Sequence, residues 1–534
     1  MDFNVADLFE AAHDRVPERV AVVCDDTRAT YGELERDANR LAHALAARGI
    51  GHGDHVGVHG KNCLEWVVAL LAIVKLRAVP INVNYRYESA ELTYLFDNAD
   101  LKALVVQRAY LPRVDPILAA LPKLQTIVVV EDGSQAPVAD SHLRYADELA
   151  GASPERDFAP RSGDDLFIIY TGGTTGMPKG VMWRHADVIF ALGGGMDPMS
   201  GERLPTPESF AERVSDQLNV QLPLSPLMHG AAQWSLLNWF FRGDRIVLTG
   251  NAFDADAALD LMERERVNTL AITGDAVARP LVHAQRARPR DLSQLRLLSS
   301  SAAVLSPVVK EVLAELLPHT VVIDAIGASE QGFVGLSVVN MPGQQVAPQP
   351  GGGLTVQPGP QTRVFDENLK PVQPGSGVVG KLARSGDLPL DYYKDPDKSA
   401  GVWVTVEGQR WSIPGDFARV EADGRVTLLG RGSTCINSGG EKIYPEEVEG
   451  VLKAHPQVAD VLVVGVPDEK WGSRVVAVVQ PAGETPSLQA LDGHCRGQLA
   501  GYKIPRGLVA VDSIRRSPAG KPDYPWAREA ARGA

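Results

Sequence analysis

The chain has 534 residues, 44 % hydrophobic and 22 % charged, a balance ordinary for a soluble protein and long enough for roughly three or four structural units. Its net charge of −13, from 53 Lys and Arg against 66 Asp and Glu, argues against nucleic acid as a partner but leaves room for a local site that binds a small anion. The cysteines Cys24, Cys63, Cys435 and Cys495 form no Cys-x-x-Cys pair or zinc spacing, the N-terminal Met1–Asp2–Phe3–Asn4 is acidic, and the longest apolar run is only Trp66–Val74. These features predict reduced thiols in a cytoplasmic chain with no transmembrane segment.

In chain order, Thr30–Tyr31–Gly32–Glu33 opens a helix whose Leu34, Ala38, Leu41 and Leu45 recur at near-helical spacing. Val56–Val58, Ala103–Val106, Gln125–Val130 and Arg245–Leu248 read as short buried strands, and so does the apolar run Leu166–Ile169. Strands alternating with helices predict an α/β architecture. Residues 191–225, with Gly193–Gly194–Gly195, and the Pro/Gly/Gln-rich residues 341–361 read as long surface loops. Ala418–Leu429 reads as a hairpin turning at Asp423–Gly424. Beyond it, Pro445–Glu449 signals a helix and Val461–Val464 a strand, so a boundary at Gly432/Ser433 divides residues 1–432 from a small unit, residues 433–534. No internal repeat is visible.

Seven segments carry chemistry. In Thr171–Gly172–Gly173–Thr174–Thr175–Gly176–Met177–Pro178–Lys179–Gly180, glycines let backbone N–H groups approach an anion, three threonines add hydroxyls and Lys179 adds positive charge. This is triphosphate chemistry without the Gly-Lys-Ser/Thr of a Walker A loop; the bland alternative is a Gly/Thr-rich hairpin loop. The others are Pro226–Leu227–Met228–His229–Gly230, Ser299–Ser300–Ser301–Ala302–Ala303, Asp324–Ala325–Ile326–Gly327–Ala328–Ser329–Glu330, Ile413–Pro414–Gly415–Asp416, Gly430–Arg431–Gly432–Ser433 with Asn437–Glu449, and Arg516–Ser517–Pro518–Ala519–Gly520–Lys521. Taken singly, His229 reads as a structural histidine, Gly415–Asp416 as an ordinary turn and Lys521 as a solvated lysine.

Taken as an ordered series, these segments resemble the adenylate-forming superfamily, which includes acyl-CoA synthetases, luciferases and peptide-synthetase adenylation domains, over essentially the whole chain. The resemblance implies a large N-terminal adenylating domain, a small mobile α+β C-terminal domain, and ATP, Mg²⁺ and CoA as ligands. It implies that Thr171, Gly172, Gly173, Thr174, Thr175 and Lys179 hold the ATP phosphates, with Thr175 and Glu330 at the metal. His229 lies beside the carboxylate to be activated. Ser301, Ala302, Asp324, Ser329 and Arg431 serve the nucleotide, and Asp416 accepts from the ribose hydroxyls. Ser433 is the hinge, Gly439, Gly440 and Glu441 serve CoA, and Lys521 reaches the carboxylate and α-phosphate. The chain departs from the family at Ile326, where an aromatic is usual, at Ser329, where Thr is usual, and at Ser433, where Asp or Lys is usual.

Residues Tyr170–His185, Thr273–Ala276, Asn437–Glu449 and Ser517–Tyr524 look most like bacterial ligases for long or bulky acids, steroid side-chain carboxylates among them. Gly274, together with Ala231 and Ala232, is expected to leave room in the acyl pocket. Three alternatives stay open at this point: a medium-chain or aromatic acid, a carrier-protein thiol instead of free CoA, and a non-catalytic nucleotide-binding module. Retention of Glu330, Asp416 and Lys521 together counts against the last. A homodimer is compatible with the resemblance.

Overall fold

The computed structural model describes residues 1–534 except 174–175, 198–199, 251, 302, 304, 343–353, 439–440, 469–471, 497, 518–519 and 534. The chain forms two units, one of residues 1–271, 290–294 and 387–400, the other of residues 272–289, 295–386 and 401–534.

The first unit is α/β. Its seven-stranded sheet runs Leu143–Arg144, Thr126–Val130, Leu101–Gln107, His55–His59, Val79–Val83, Leu166–Gly173, Gly176–Arg184. All neighbours pair in parallel except the last two, which form an antiparallel hairpin. His55–His59 and Val79–Val83 are buried at every residue, as parallel strands covered on both faces require. A second set pairs Gln221, Leu222 and Pro223 in parallel with Thr269, Leu270 and Ala271. The helix Tyr31–Ala47 begins with a capping box between Thr30 and Glu33. Its Leu34, Ala38, Leu41 and Leu45 are at most 1 % exposed, so the predicted face is the buried one.

In the second unit, Leu297–Ser300 and Val321–Ala328 pair in parallel. Gly332–Asn340, Thr355–Pro358, Val426–Arg431, Asp416–Val420 and Val379–Ser385 continue the sheet with antiparallel pairing. The end of the chain packs Val458–Asp468, Gly472–Pro481 and Gly507–Ala510 into a three-stranded sheet. Val461 and Val463 enter one apolar cluster and Leu462 and Val464 another, because successive side chains of a strand point to opposite faces.

Two loop expectations need correction. Residues 191–225 contain the helix Glu208–Glu212 and the strand Val220–Pro223. Of residues 341–361, 343–353 lie outside the described residues, and Thr355–Pro358 is a strand. Pairing of Thr355 and Val356 with Thr427 and Val426, and burial of Val356 at 1 % exposure, override the loop-like composition. Among the described residues no helix is long and apolar enough to cross a membrane. The four cysteines are free thiols.

Candidate active site

The Thr/Gly/Lys segment is the tip of the antiparallel hairpin Leu166–Gly173 and Gly176–Arg184, with Thr171 opposite Lys179 and Gly173 opposite Gly176. Thr174 and Thr175 lie outside the described residues, and Gly172 and Gly173 are placed by their backbone. The described part of the segment is therefore a hairpin. Gly180 is required where it stands: a Cβ there would lie 2.8 Å from Tyr170 Cε2 and 2.9 Å from Ile168 Cγ2. Lys179 Nζ sits 5.0 Å from the centroid of the Tyr392 ring, within cation–π range. The segment that carries Tyr392 is bound to the outer strand of the hairpin. Met182 N–H donates to Asp391 O at 2.9 Å, Leu390 N–H to Met182 O at 2.7 Å and Tyr393 N–H to Gly180 O at 2.8 Å.

His229 is half-buried and stands at the N-cap of the helix Gly230–Phe240. Three buried amide side chains fix its loop. Asn62 Oδ1 accepts from Leu227 N–H at 2.8 Å, and Gln233 Nε2 donates to Leu227 O at 2.8 Å. Asn82 Nδ2 donates to Met228 O at 2.7 Å and to Tyr170 O at 2.9 Å, while its Oδ1 accepts from Tyr170 N–H at 2.8 Å. One buried amide thus locks the histidine loop to the phosphate hairpin. Asn62, Asn82 and Tyr392 were not legible as site residues; the available signal was a lone amide inside the apolar strand Val79–Val83. Ala231 is exposed and Ala232 is 2 % exposed, so neighbours expected to share a pocket face different surroundings.

In the second unit, Ser299–Ala303 follows the strand Leu297–Ser300, with Ser301 N–H donating to Ile272 O at 3.1 Å; Ala302 lies outside the described residues. Gly274 is buried beside this turn and donates its N–H to Ser300 Oγ at 3.1 Å. Its φ is +56°, and a Cβ there would come within 2.8 Å of Ala303 Cβ and 2.9 Å of Ala303 O. Gly274 therefore has a structural requirement of its own, beside the acyl-pocket role expected for it. Its missing side chain serves a left-handed backbone and a close chain crossing.

Asp324, expected to serve the nucleotide, lies inside the fold. It is wholly buried, with Lys310 Nζ 3.3 Å from its Oδ2. Burial pushes its carboxyl up to about 6 against the opposing pull of Lys310. Neither oxygen is open to a ligand, so its support for the site runs through the strand Val321–Ala328 on which it sits. Ser329 and Glu330 follow that strand, both half-buried, and Ser412 Oγ donates to Glu330 O at 2.6 Å. Asp416 starts the strand Asp416–Val420, directly opposite Arg431 and just after Gly415 at φ +100°. Ser433 lies in the 3₁₀ turn Gly432–Thr434. Gly439 and Gly440 are outside the described residues, and Glu441 is exposed at the start of the strand Glu441–Ile443.

Lys521 is exposed at the end of a tight turn. Gly520 N–H donates to Ser517 O at 2.8 Å, Ser517 N–H to Lys521 O at 2.8 Å and Lys521 N–H to Ser517 Oγ at 3.1 Å. Arg516 braces this turn: Nε and one terminal nitrogen each reach Asp460 at 2.8 Å, and the other donates to Gly520 O at 3.1 Å. Asp460 is held below the usual carboxylate range, because Lys453 and Arg516 outweigh the upward push of burial.

Residues 9–393 match the family model described as AMP-binding enzyme, and residues 447–521 match the AMP-binding enzyme C-terminal domain. A 3-oxocholest-4-en-26-oate–CoA ligase from Rhodococcus rhodochrous is 48 % identical over 538 residues, covering 99 % of this chain and 96 % of that one. A medium/long-chain-fatty-acid–CoA/3-oxocholest-4-en-26-oate–CoA ligase from Mycobacterium marinum is 50 % identical over 534 residues, covering 98 % and 96 %. In fold, the chain matches the crystal structure of the anthranilate CoA ligase AuaEII in complex with anthranoyl-AMP, with a TM-score of 0.85, 24 % identity and coverage of 99 % and 97 %. Matches of this extent, on a chain that keeps each motif in order, show that it belongs to the AMP-binding enzyme family of the adenylate-forming superfamily, among its acyl-CoA ligases.

Proposed function

We propose that the chain is an ATP-dependent ligase that joins a steroid side-chain carboxylate, or a medium- or long-chain fatty acid, to CoA. The observation that carries this is near-full-length similarity, at 48 % and 50 % identity, to ligases named for those acids. In the first step a carboxylate oxygen attacks the α-phosphorus of ATP. The bond from that phosphorus to the bridging oxygen breaks, and pyrophosphate leaves with the electron pair. In the second step the CoA thiolate attacks the acyl carbon and AMP leaves, giving the thioester.

The residue roles follow the family series. Thr171, Thr174, Thr175 and Lys179 hold the β- and γ-phosphates, with the backbone of Gly172 and Gly173 beside them. His229 orients the carboxylate, and Asp416 accepts from the ribose diol. Lys521 stabilises negative charge as it develops, a role that contributes roughly 2.7–4 kcal/mol in comparable sites. Mg²⁺ would be held by Glu330 and Thr175, neutralising phosphate charge. Among the described residues no three His, Cys, Asp or Glu side chains cluster, which fits a cation bridging phosphates rather than one caged by protein.

The boundary at Gly432/Ser433 is taken as the hinge. Rotation there withdraws Lys521 and brings Gly439, Gly440 and Glu441 to the pantetheine arm. A cytoplasmic location and a homodimer complete the reading. The test is a pyrophosphate-release screen over fatty, aromatic and steroid acids, run with either free CoA or a phosphopantetheinyl carrier protein as acceptor. Preference for acetate or benzoate would remove the substrate class and leave the ligase. Preference for the carrier protein would replace CoA as acceptor.

A further inference from the structure

Within the second unit, Gly520 of the Ser517–Lys521 turn lies against Thr273. Gly520 has φ +70°, and a Cβ there would stand 3.0 Å from Thr273 Oγ1, 3.1 Å from Thr273 O and 3.3 Å from Thr273 Cβ. The turn therefore meets Thr273 with bare backbone. Thr273 is 4 % exposed and occupies the N-cap of the helix Gly274–Ala287, yet its side chain makes no cap hydrogen bond. Its hydroxyl faces the turn instead of the helix.

Both residues of this contact are braced by hydrogen bonds around them. Behind Thr273, Gly274 is pressed against Ala303, and buried Asp275 accepts from Ser306 N–H at 2.7 Å and from Arg279 Nε at 3.1 Å. Arg279 also donates to Ser306 Oγ at 3.1 Å, which closes a ring of bonds under the seat. On the other side, Arg516 is paired with Asp460 and donates to Gly520 O. Close packing at such a contact restricts where the turn can sit, because native interiors leave few voids.

We propose that Thr273 is the seat that positions Lys521 for adenylation, and that it is released when the small domain turns for thioester formation. This rests on the reading of Lys521 given above. Thr273 is then a positioning residue that acts through Gly520, and the Thr273–Gly274–Asp275 departure is a docking feature.

The test is Thr273→Leu in the full-length chain, with each half-reaction measured separately. Overpacking the seat should lower kcat for acid-dependent pyrophosphate exchange by about 10- to 100-fold while KM for ATP stays within about threefold. Thioester formation from supplied acyl-adenylate and CoA should stay within about twofold of the parent. Thr273→Ser, which keeps the hydroxyl in a smaller side chain, should stay near the parent in both steps. Gly520→Ala reaches the same contact from the other element and should reproduce the split, so misfolding at the start of the helix could not account for both results.

Equal losses in both half-reactions, or no loss of adenylation in Thr273→Leu, would overturn the proposal. Lys521→Ala, run in parallel, reports on the underlying reading. If it loses adenylation and Thr273→Leu does not, only the seat falls. If Lys521→Ala keeps full adenylation, the role of Lys521 falls and the seat falls with it.

Discussion

The two units hold their motif residues by a different balance of means. In the first, side chains do the holding: Asn82, Asn62 and Gln233 spend buried amide groups on the backbone of the phosphate hairpin and the histidine loop. In the second, side chains also brace the motif turns, Arg516 on Asp460 and Ser412 on the carbonyl of Glu330, and close backbone approaches at glycine are added to them. Gly274 lies against Ala303, Gly520 against Thr273, and Gly430, at φ +119°, against the carboxylate of Glu446. A buried hydrogen bond is costly to break, because each group must find a new partner or stay unsatisfied. A backbone packed against its neighbour leaves no such debt on parting. The buried amides suit parts that stay fixed through both half-reactions, whereas the contacts of Gly520 with Thr273 and of Gly430 with Glu446, which span the boundary at Gly432/Ser433, suit parts proposed to separate between them.

The comparison breaks most sharply at Lys521. Lys521→Ala should lower pyrophosphate exchange by about 100-fold or more, and thioester formation from supplied acyl-adenylate should remain close to the parent. A variant crippled equally in both steps would mean that the turn does not leave between them.

Asn82→Ala tests the fixed half. It strips partners from Tyr170 N–H and from the carbonyls of Tyr170 and Met228, buried groups that cost about 1–3 kcal/mol each when left unsatisfied. Urea unfolding should register a loss of about 3 kcal/mol or more, and both half-reactions should slow together. A split like that of Lys521→Ala would show that the hairpin and the histidine loop serve one step only.

Asp416→Ala sharpens the contrast inside the second unit, because Asp416 is assigned to a ligand instead of a moving contact. Loss of charge-assisted bonds worth about 1.5–3 kcal/mol should raise KM for ATP by about 10- to 100-fold. KM for the acid should move much less. An unchanged KM for ATP would remove the ribose assignment.

What the sequence made legible follows the same division. Local periodicity announced the helix Tyr31–Ala47, the strand Val458–Asp468 and the hairpin around Gly424, because each is written in residues a few positions apart. The motif series brought out Lys179, His229, Asp416 and Lys521. The residues that brace them were hidden, because their partners are distant in sequence: Asn82 and Tyr170 are 88 residues apart, and Arg516 and Asp460 are 56. Gly274 is hard to read for a different reason. A sequence records that a side chain is missing, but it does not tell room for a ligand from a positive φ against a neighbouring chain. The burial of Asp324 was hidden in the same way, since its letter carries no mark of it.

The smallest effect on turnover is expected at Asp324, where the two units differ in their response to acid. In the first unit, burial lowers His59 to about 3 and His185 to about 4, below the ordinary 6.5. Those histidines stay neutral in the fold while the unfolded chain takes up protons. Their share of stability is present above pH 6.5 and is lost as pH falls toward 4 and below. Asp324 has the reverse sign. Its folded value of about 6 exceeds the ordinary 3.8, so the native state holds this proton more tightly than the unfolded chain. Its contribution is fullest below pH 3.8 and is lost as pH rises through 6. Asp324→Asn removes that term. The difference in unfolding free energy between variant and parent should shift in favour of the variant by about 2–3 kcal/mol from pH 4 to pH 7.5. Urea midpoints taken across that range check it. A difference that stays flat with pH would mean that Lys310, 3.3 Å away, keeps Asp324 charged throughout, and that the second unit carries a true buried ion pair beneath the strand leading to Glu330.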